Sequence, residues 1–204
     1  MEDIKNIVFD LGGVLLNIDT ALTDAAFEKL GIKDFKNNYS LTKADRLFDD
    51  LEKGKVAEPG FYDAIREMSK LPLENDAIRD AWNALLLDFR EESILHLEKL
   101  SGKYRLYLLS NTNHIHHTAF HRSFATQFKG KDFDAYFTKA YYSHQVGLRK
   151  PDSEIFDFLL TDAGLLPGET LFIDDLLKNI TAAAAKGIRV HHLGYAERIE
   201  QLGL

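Results

Sequence analysis

The sequence predicts an α/β fold: a doubly wound parallel sheet with a lobe of α-helices inserted into it. Three observations carry this. Short apolar runs end abruptly in polar groups, as buried parallel strands do at a ligand site. Strand and helix patterns alternate through the second half of the chain. Between the first two strand candidates the pattern is helical throughout, which is not a simple strand–helix–strand step.

The first strand covers residues 4–10. Helical periods follow over about 20–30, 41–52, 60–69, 75–88 and 92–101, with breaks at Gly54, Pro59-Gly60 and Leu71-Pro72-Leu73. The second strand, 104–109, runs into Ser110. A helix near 113–124 precedes a strand over 137–142, and a helix over 152–163 follows Pro151. A strand over 170–174, a helix near 176–186 ended by Gly187, and a last strand over 188–193 complete the alternation. The expected division is an α/β core domain at 1–16 and 93–204 and a helical cap domain at 17–92. Ligands of such sheets bind at the carboxyl ends of the strands, where Asp10, Ser110 and Asp174-Asp175 fall.

Composition narrows the function classes. At 204 residues, 45% hydrophobic and 28% charged, the chain suits one soluble domain with an insertion. It has no cysteine, which excludes disulfides, thiolate catalysis and Cys-based zinc sites. No secretory signal or membrane-length apolar run is read in it, so the expected place is the cytoplasm. The net charge of −7 and the lack of a basic stripe argue against nucleic acid as a partner. An acidic chain can still bind a phosphate through local positive charge: a lysine, a metal ion or a helix N-terminus.

Each polar group at a strand end has a chemical reading and an ordinary one. Asp10 after Ile7-Val8-Phe9 can attack phosphorus, or can cap a helix. Gly12-Gly13 lets backbone N–H groups approach a phosphate, or simply makes a turn. No Walker-type lysine follows, so this is not a nucleotide P-loop. Ser110-Asn111-Thr112 can hold a phosphate at a helix start, or cap that helix. Lys150, held extended by Pro151, can neutralise a phosphate, or be a solvated lysine. Asp174-Asp175 is the most telling pair: two adjacent buried acids repel unless a cation such as Mg²⁺ lies between them. Helix-start acids are the ordinary alternative.

Taken in order, Phe9 to Val14, Ser110 to Asn113, Arg149 to Pro151 and Asp174-Asp175 with Asn179-Ile180 resemble the four motifs of the haloacid dehalogenase (HAD) superfamily. The resemblance spans the whole chain and is strongest to a bacterial branch of sugar-phosphatase-like proteins, some of them α-D-glucose-1-phosphatases. The segment Leu51 to Val56, then Phe61-Tyr62 and Trp82-Asn83, is similar to the cap of that branch. The resemblance implies a Rossmann-like core with the Asp10 strand at its centre. It implies a Mg²⁺-dependent phosphatase acting on a small phosphorylated metabolite, foremost a sugar phosphate, through an aspartyl-phosphate. Asp10 would be nucleophile and metal ligand, with the Gly12 carbonyl and Asp175 also holding the metal and Asp174 as a second ligand or outer-shell partner. Ser110, Asn111, Lys150 and Gly12 would bind the phosphoryl group, and Lys150 would also serve catalysis.

The chain departs from the pattern at Gly12, where most phosphatases of the superfamily carry a second aspartate as general acid and base. Its loss costs about 10²–10⁴ in rate unless another group substitutes. A good leaving group, such as an anomeric sugar oxygen, needs less help. Two alternatives stand beside the phosphatase: a 2-haloacid dehalogenase, which needs no metal and is disfavoured by Asp174-Asp175, and a catalytically weak binding or sensory protein. In His114-Ile115-His116-His117, adjacent imidazoles point apart on a helix. The expectation there is that His116 or Asn113 lines the substrate pocket. Phe124, Phe128, Phe133 and Phe137 read as core packing.

Overall fold

The computed structural model describes residues 3–33, 35 and 44–204. Strand β1 (Asn6–Phe9) leads through a tight loop to β2 (Leu16–Ile18). Helices α1 (Thr20–Lys29), α2 (Ala44–Glu52), α3 (Glu58–Ser69) and α4 (Asn75–Asn83) follow. The chain returns through β3 (Leu86–Phe89), α5 (Glu91–Leu100) and β4 (Arg105–Ser110) to α6 (His114–Gln127). It ends with β5 (Lys139–Tyr142), α7 (Ser143–Val146), α8 (Ser153–Asp162), β6 (Thr170–Asp174), α9 (Leu177–Ala184) and β7 (Arg189–His192).

Five strands form one parallel sheet in the order β5-β4-β1-β6-β7, with β1 at its centre. Side chains alternate across a strand, so each inner strand feeds two cores. Ile7, Phe9, Leu106, Leu108, Leu171 and Ile173 face one side, packed on Ile94 and Leu97 of α5 and Phe120 and Phe124 of α6. Val8, Tyr107, Leu109 and Phe172 face the other, packed on Ile155, Phe156 and Leu159 of α8 and on Ile180 and Ala183 of α9. This two-sided burial is why the strands read as continuous apolar runs. Phe124, Phe133 and Phe137 are in the first core and Phe128 packs against it, as expected.

The helices between β2 and β3 bury a third cluster: Phe27 of α1, Leu51 of α2, Phe61 and Ile65 of α3, and Ile78 and Ala81 of α4. Ile115 joins it from α6.

The helix expected over 75–88 ends at Asn83, and its last residues become β3. The run Leu85-Leu86-Leu87 fits a helical face as well as a strand. Pairing decides it: Leu16 stands opposite Phe89 and Ile18 opposite Leu86 in an antiparallel ribbon. Asp19 N–H donates to Leu85 O at 3.0 Å and Arg90 N–H to Leu15 O at 2.9 Å. The two chain passages between sheet and helices are thus tied side by side. Pro59 lies in the first turn of α3, where its missing N–H costs no helical bond, rather than in a preceding turn. Of the helix expected at 41–52, residues 41–43 lie outside the described residues.

Candidate active site

The carboxyl edge of the sheet gathers the polar groups. Asp10 N–H donates to Ile173 O at 2.9 Å, which carries the β1–β6 register one residue past Phe9 and brings Asp10 beside Asp174. Lys150 arrives from the α7–α8 connection. Its Nζ lies 2.8 Å from Asp10 Oδ1, 2.8 Å from Asp174 Oδ2 and 2.7 Å from Leu109 O. Lys150 is 1% exposed, Asp10 8% and Asp174 0%. An ammonium has three donors, and all three are used; without them its burial would be prohibitive. Burial alone would lower the lysine's pKa, yet Asp10 and Asp174 beside it hold it above the usual range.

The Lys150 backbone is fixed as firmly as its tip. Asn111 Nδ2 donates to Lys150 O at 2.7 Å, and Asn111 Oδ1 accepts from Lys150 N at 2.9 Å. The Asn111 side chain therefore grips the backbone N–H and C=O of Lys150 and positions the lysine, a task that the sequence did not suggest for it. Helix α2 lies against the same connection. Arg149 Nη1 is 3.0 Å from Asp49 Oδ1, and Lys53 Nζ is 3.1 Å from Asp49 Oδ2 and 3.3 Å from Asp152 Oδ2.

Asp174 and Asp175 have different surroundings. The Asp174 oxygens accept from Lys150, from Leu176 N at 2.8 Å, and from Asn179 Nδ2 at 3.0 Å to each oxygen. Asn179 thus anchors Asp174 from the first turn of α9. The sequence placed it in a motif without a role; the five-residue spacing from Asp174, one turn into the next helix, was the available signal. No described side chain bonds the Asp175 carboxylate. Its corner borders a cavity of ≈ 920 Å³ lined also by Gly13, Asn17, Asp88, Arg90 and His192. One carboxylate oxygen each from Asp10, Asp174 and Asp175 lies within 4.8 Å of the others, the one such cluster of metal-ligating side chains among the described residues. Three oxygen donors converging on one point suit a hard divalent cation.

The electrostatics agree. Burial, then Asp174 and Asp175, push the Asp10 pKa from 3.8 up to about 7 despite Lys150. Burial and the neighbouring Asp174 also raise Asp175. These carboxylates share a charge problem that the lysine only partly relieves.

Ser110 ends β4, is buried, and its Oγ has one weak partner, Asn111 O at 3.5 Å, leaving it available to a ligand. Gly13 has φ +74°, and a Cβ there would collide with Asp175 Oδ2, so the glycine is what lets the loop pass the acid. Gly13→Ala is expected to cost at least about 1 kcal/mol from the left-handed backbone alone, read by urea denaturation; an unchanged midpoint contradicts this. The two residues expected to line the pocket from α6 have partners within the protein. Asn113 Oδ1 caps α6 by accepting from His116 N at 3.0 Å. His116 Nε2 is 3.0 Å from Trp82 O, so it carries the proton, and its ring stacks on Trp82 at 5.0 Å. Asn113 thus caps α6, and His116 joins α6 to α4.

A family model described as haloacid dehalogenase-like hydrolase matches residues 4–187. The chain belongs to that family. A HAD hydrolase, it is 35% identical over 178 residues to the D-ribitol-5-phosphate phosphatase of Bacteroides thetaiotaomicron, covering 87% of this chain and 85% of that one. A HAD family enzyme of B. thetaiotaomicron, solved as the wild-type protein with magnesium and inorganic phosphate, superposes with a TM-score of 0.91 at 36% identity. That match covers 98% of this chain and all of the other. A predicted HAD-like hydrolase of Porphyromonas gingivalis matches with a TM-score of 0.88 at 32% identity, over 98% and 96% of the two chains. The five-stranded sheet with its central Asp10 strand is the HAD core.

Proposed function

We propose that this HAD hydrolase is a Mg²⁺-dependent phosphatase that takes a small sugar or polyol phosphate and passes its phosphoryl group to Asp10. The observation that carries the reading is the buried Lys150 ammonium, 2.8 Å from Asp10, beside a cluster of three carboxylates. A carboxylate nucleophile needs a cation to admit a phosphate dianion, and this site has one built in and room for a second. The relative that acts on D-ribitol 5-phosphate supports the substrate class.

Asp10, Asp175 and the Gly12 carbonyl are the ligands we assign to Mg²⁺. Asp174, already engaged by Lys150 and Asn179, orients the lysine and supports the ion from behind. When bound, the ion offsets carboxylate repulsion and neutralises charge on the transferring group. The chain's own groups do the rest. Asp10 attacks phosphorus, Lys150 and Ser110 hold the equatorial oxygens, and the Asn111 backbone N–H assists. Such catalysis is positioning plus charge neutralisation. Residues 17–92 form the cap in this reading and exclude water until the aspartyl-phosphate exists. The site is unsuited to a haloacid, whose carboxylate would enter beside three others.

A panel of sugar, polyol and aryl phosphates, assayed with Mg²⁺ and with EDTA, tests the proposal. Turnover of a polyol or sugar phosphate that chelation abolishes is expected; turnover indifferent to EDTA contradicts it.

The Asp10 shift also sets a pH dependence. Its folded-state pKa, about 7, exceeds the ordinary 3.8, so between these values the folded state holds more protons than the unfolded. That contribution to stability is present below about pH 4 and is lost as pH rises to about 7. Mg²⁺ competes with the proton and stabilises by mass action. The rise in melting temperature on adding Mg²⁺ should be larger at pH 7.5 than at pH 5; equal rises would refute the linkage.

A further inference from the structure

Gly12 leaves the site without the usual proton carrier, and the Ile18 side chain packs closely over the position. A Cβ on Gly12 would lie 3.1 Å from Ile18 Cδ1. A phosphatase acting on a polyol phosphate expels an alkoxide, which needs a proton far more than an anomeric oxygen does. Three nearby titratable groups are already engaged. Asp19 is exposed and its Oδ1 caps α1 by accepting from Ala21 N at 2.9 Å. His192 Nε2 is 2.9 Å from Asp175 O, so that nitrogen carries a proton it donates there. His116 is committed to Trp82 O.

Glu52 remains. It is the last residue of α2, and Leu51 before it anchors the helix in the third apolar cluster. Gly54 follows with φ +68°, and a Cβ there would collide with His144 O, so the end of α2 docks on the backbone of α7. The Glu52 carboxylate is thereby held next to the Lys150 segment. Its Oε2 is 3.2 Å from Arg149 Nε, yet this oxygen is buried and has no aligned hydrogen-bond donor among the described residues. The Arg149 ion pair offsets part of the cost of burying this oxygen and leaves it free to hold or release a proton.

We propose that Glu52 is the general acid and base of this hydrolase, delivered to the leaving-group oxygen by helix α2. The proposal rests on the phosphatase reading above. In the first step Asp10 Oδ forms a bond to phosphorus while the P–O ester bond breaks. The bond's electron pair goes to the ester oxygen, which takes the Glu52 proton and leaves as the alcohol. In the second step water attacks the aspartyl-phosphate, Glu52 carboxylate takes the water's proton, and the electron pair of the P–O(Asp10) bond returns to Asp10. Phosphate leaves and Glu52 is again protonated. The electrostatic setting suits this role. Arg149 and Lys150 from the α7–α8 connection and Lys178 from α9 favour the charged form, and Asp49 on the same helix opposes it. Burial outweighs the cations and leaves Glu52 above the ordinary carboxylate range. Asp10 and Asp175 are the other described carboxylates raised in this way.

The test compares D-ribitol 5-phosphate, an alkyl ester, with p-nitrophenyl phosphate, whose leaving group needs no acid, both with Mg²⁺. Glu52→Gln should lower kcat on the alkyl ester by about 10²–10⁴ and on the aryl ester by less than about tenfold. Glu52→Asp should restore part of the alkyl activity. The wild-type chain should show an alkaline limb in kcat for the alkyl ester that is absent for the aryl ester, a readout independent of any variant's folding. Equal losses on both esters would assign Glu52 to the Arg149 ion pair alone and overturn the proposal. So would matching wild-type pH profiles, or wild-type turnover of the aryl ester only. No turnover of either ester by the wild-type chain is a different failure, that of the phosphatase reading itself.

Discussion

Asp10→Asn should abolish turnover of every phosphomonoester, by on the order of 10⁴-fold or more, and leave the protein folded. The two outcomes together are diagnostic. The amide keeps the shape and still accepts from Lys150 Nζ, but it cannot form the aspartyl-phosphate. Folding should not suffer, because burial already disfavours the Asp10 charge, with a pKa raised to about 7. Without Mg²⁺ at pH 7.5, the variant's melting temperature should equal or exceed that of the wild type. The Mg²⁺-induced rise should shrink, since one ligand is weakened. Phosphate release and thermal denaturation read both effects. Activity retained within tenfold would remove Asp10 from the chemistry.

Lys150→Met has the opposite signature, a large loss of both activity and stability. The Lys150 ammonium is the partner of Asp10 and of Asp174, and all three side chains are buried. Removing one member of a buried ion pair leaves the others uncompensated, at a cost of about 3–5 kcal/mol. Lys150→Arg should not rescue the fold, because a planar guanidinium cannot direct three donors at Leu109 O, Asp10 and Asp174 from one point. Combining Lys150→Met with Asp10→Asn should recover part of the loss by removing one of the stranded charges. Urea denaturation at pH 7.5 measures all of these. A Lys150→Met midpoint equal to the wild type would show that the pair contributes nothing to folding.

The site was more legible in the sequence than its supports. Asp10, Ser110 and Asp174 could be placed because each ends an apolar run, and the parallel register then brings such ends together. Lys150 could be placed only in series with them, since its own segment has no strand. Its anchoring by Asn111 joins residues 39 apart in sequence, which no local pattern encodes. The β2–β3 ribbon was missed for a related reason. Strands of three and four residues are too short to show a period, and Leu85-Leu86-Leu87 reads equally well as helix. Only the pairing with Leu16–Ile18 decides. The His116–Trp82 contact was not legible because α4 and α6 meet through tertiary packing, and a histidine after a candidate phosphate-binding loop reads as a pocket residue until its partner is known. The segment of Glu52 resembles the family's cap, but that resemblance gives the residue no role; a glutamate at the end of a charged helix reads as an ordinary solvated residue until Arg149 and α7 are seen around it.

During turnover a phosphoryl group should rest on Asp10. Acid quenching of the enzyme in steady state with Mg²⁺ and D-ribitol 5-phosphate, followed by intact-mass and peptide analysis, would catch it there. The expected result is the mass of one added phosphoryl group on the peptide containing Asp10, absent with EDTA and absent in Asp10→Asn. Continued phosphate release with no such adduct, together with an active Asp10→Asn variant, would contradict it.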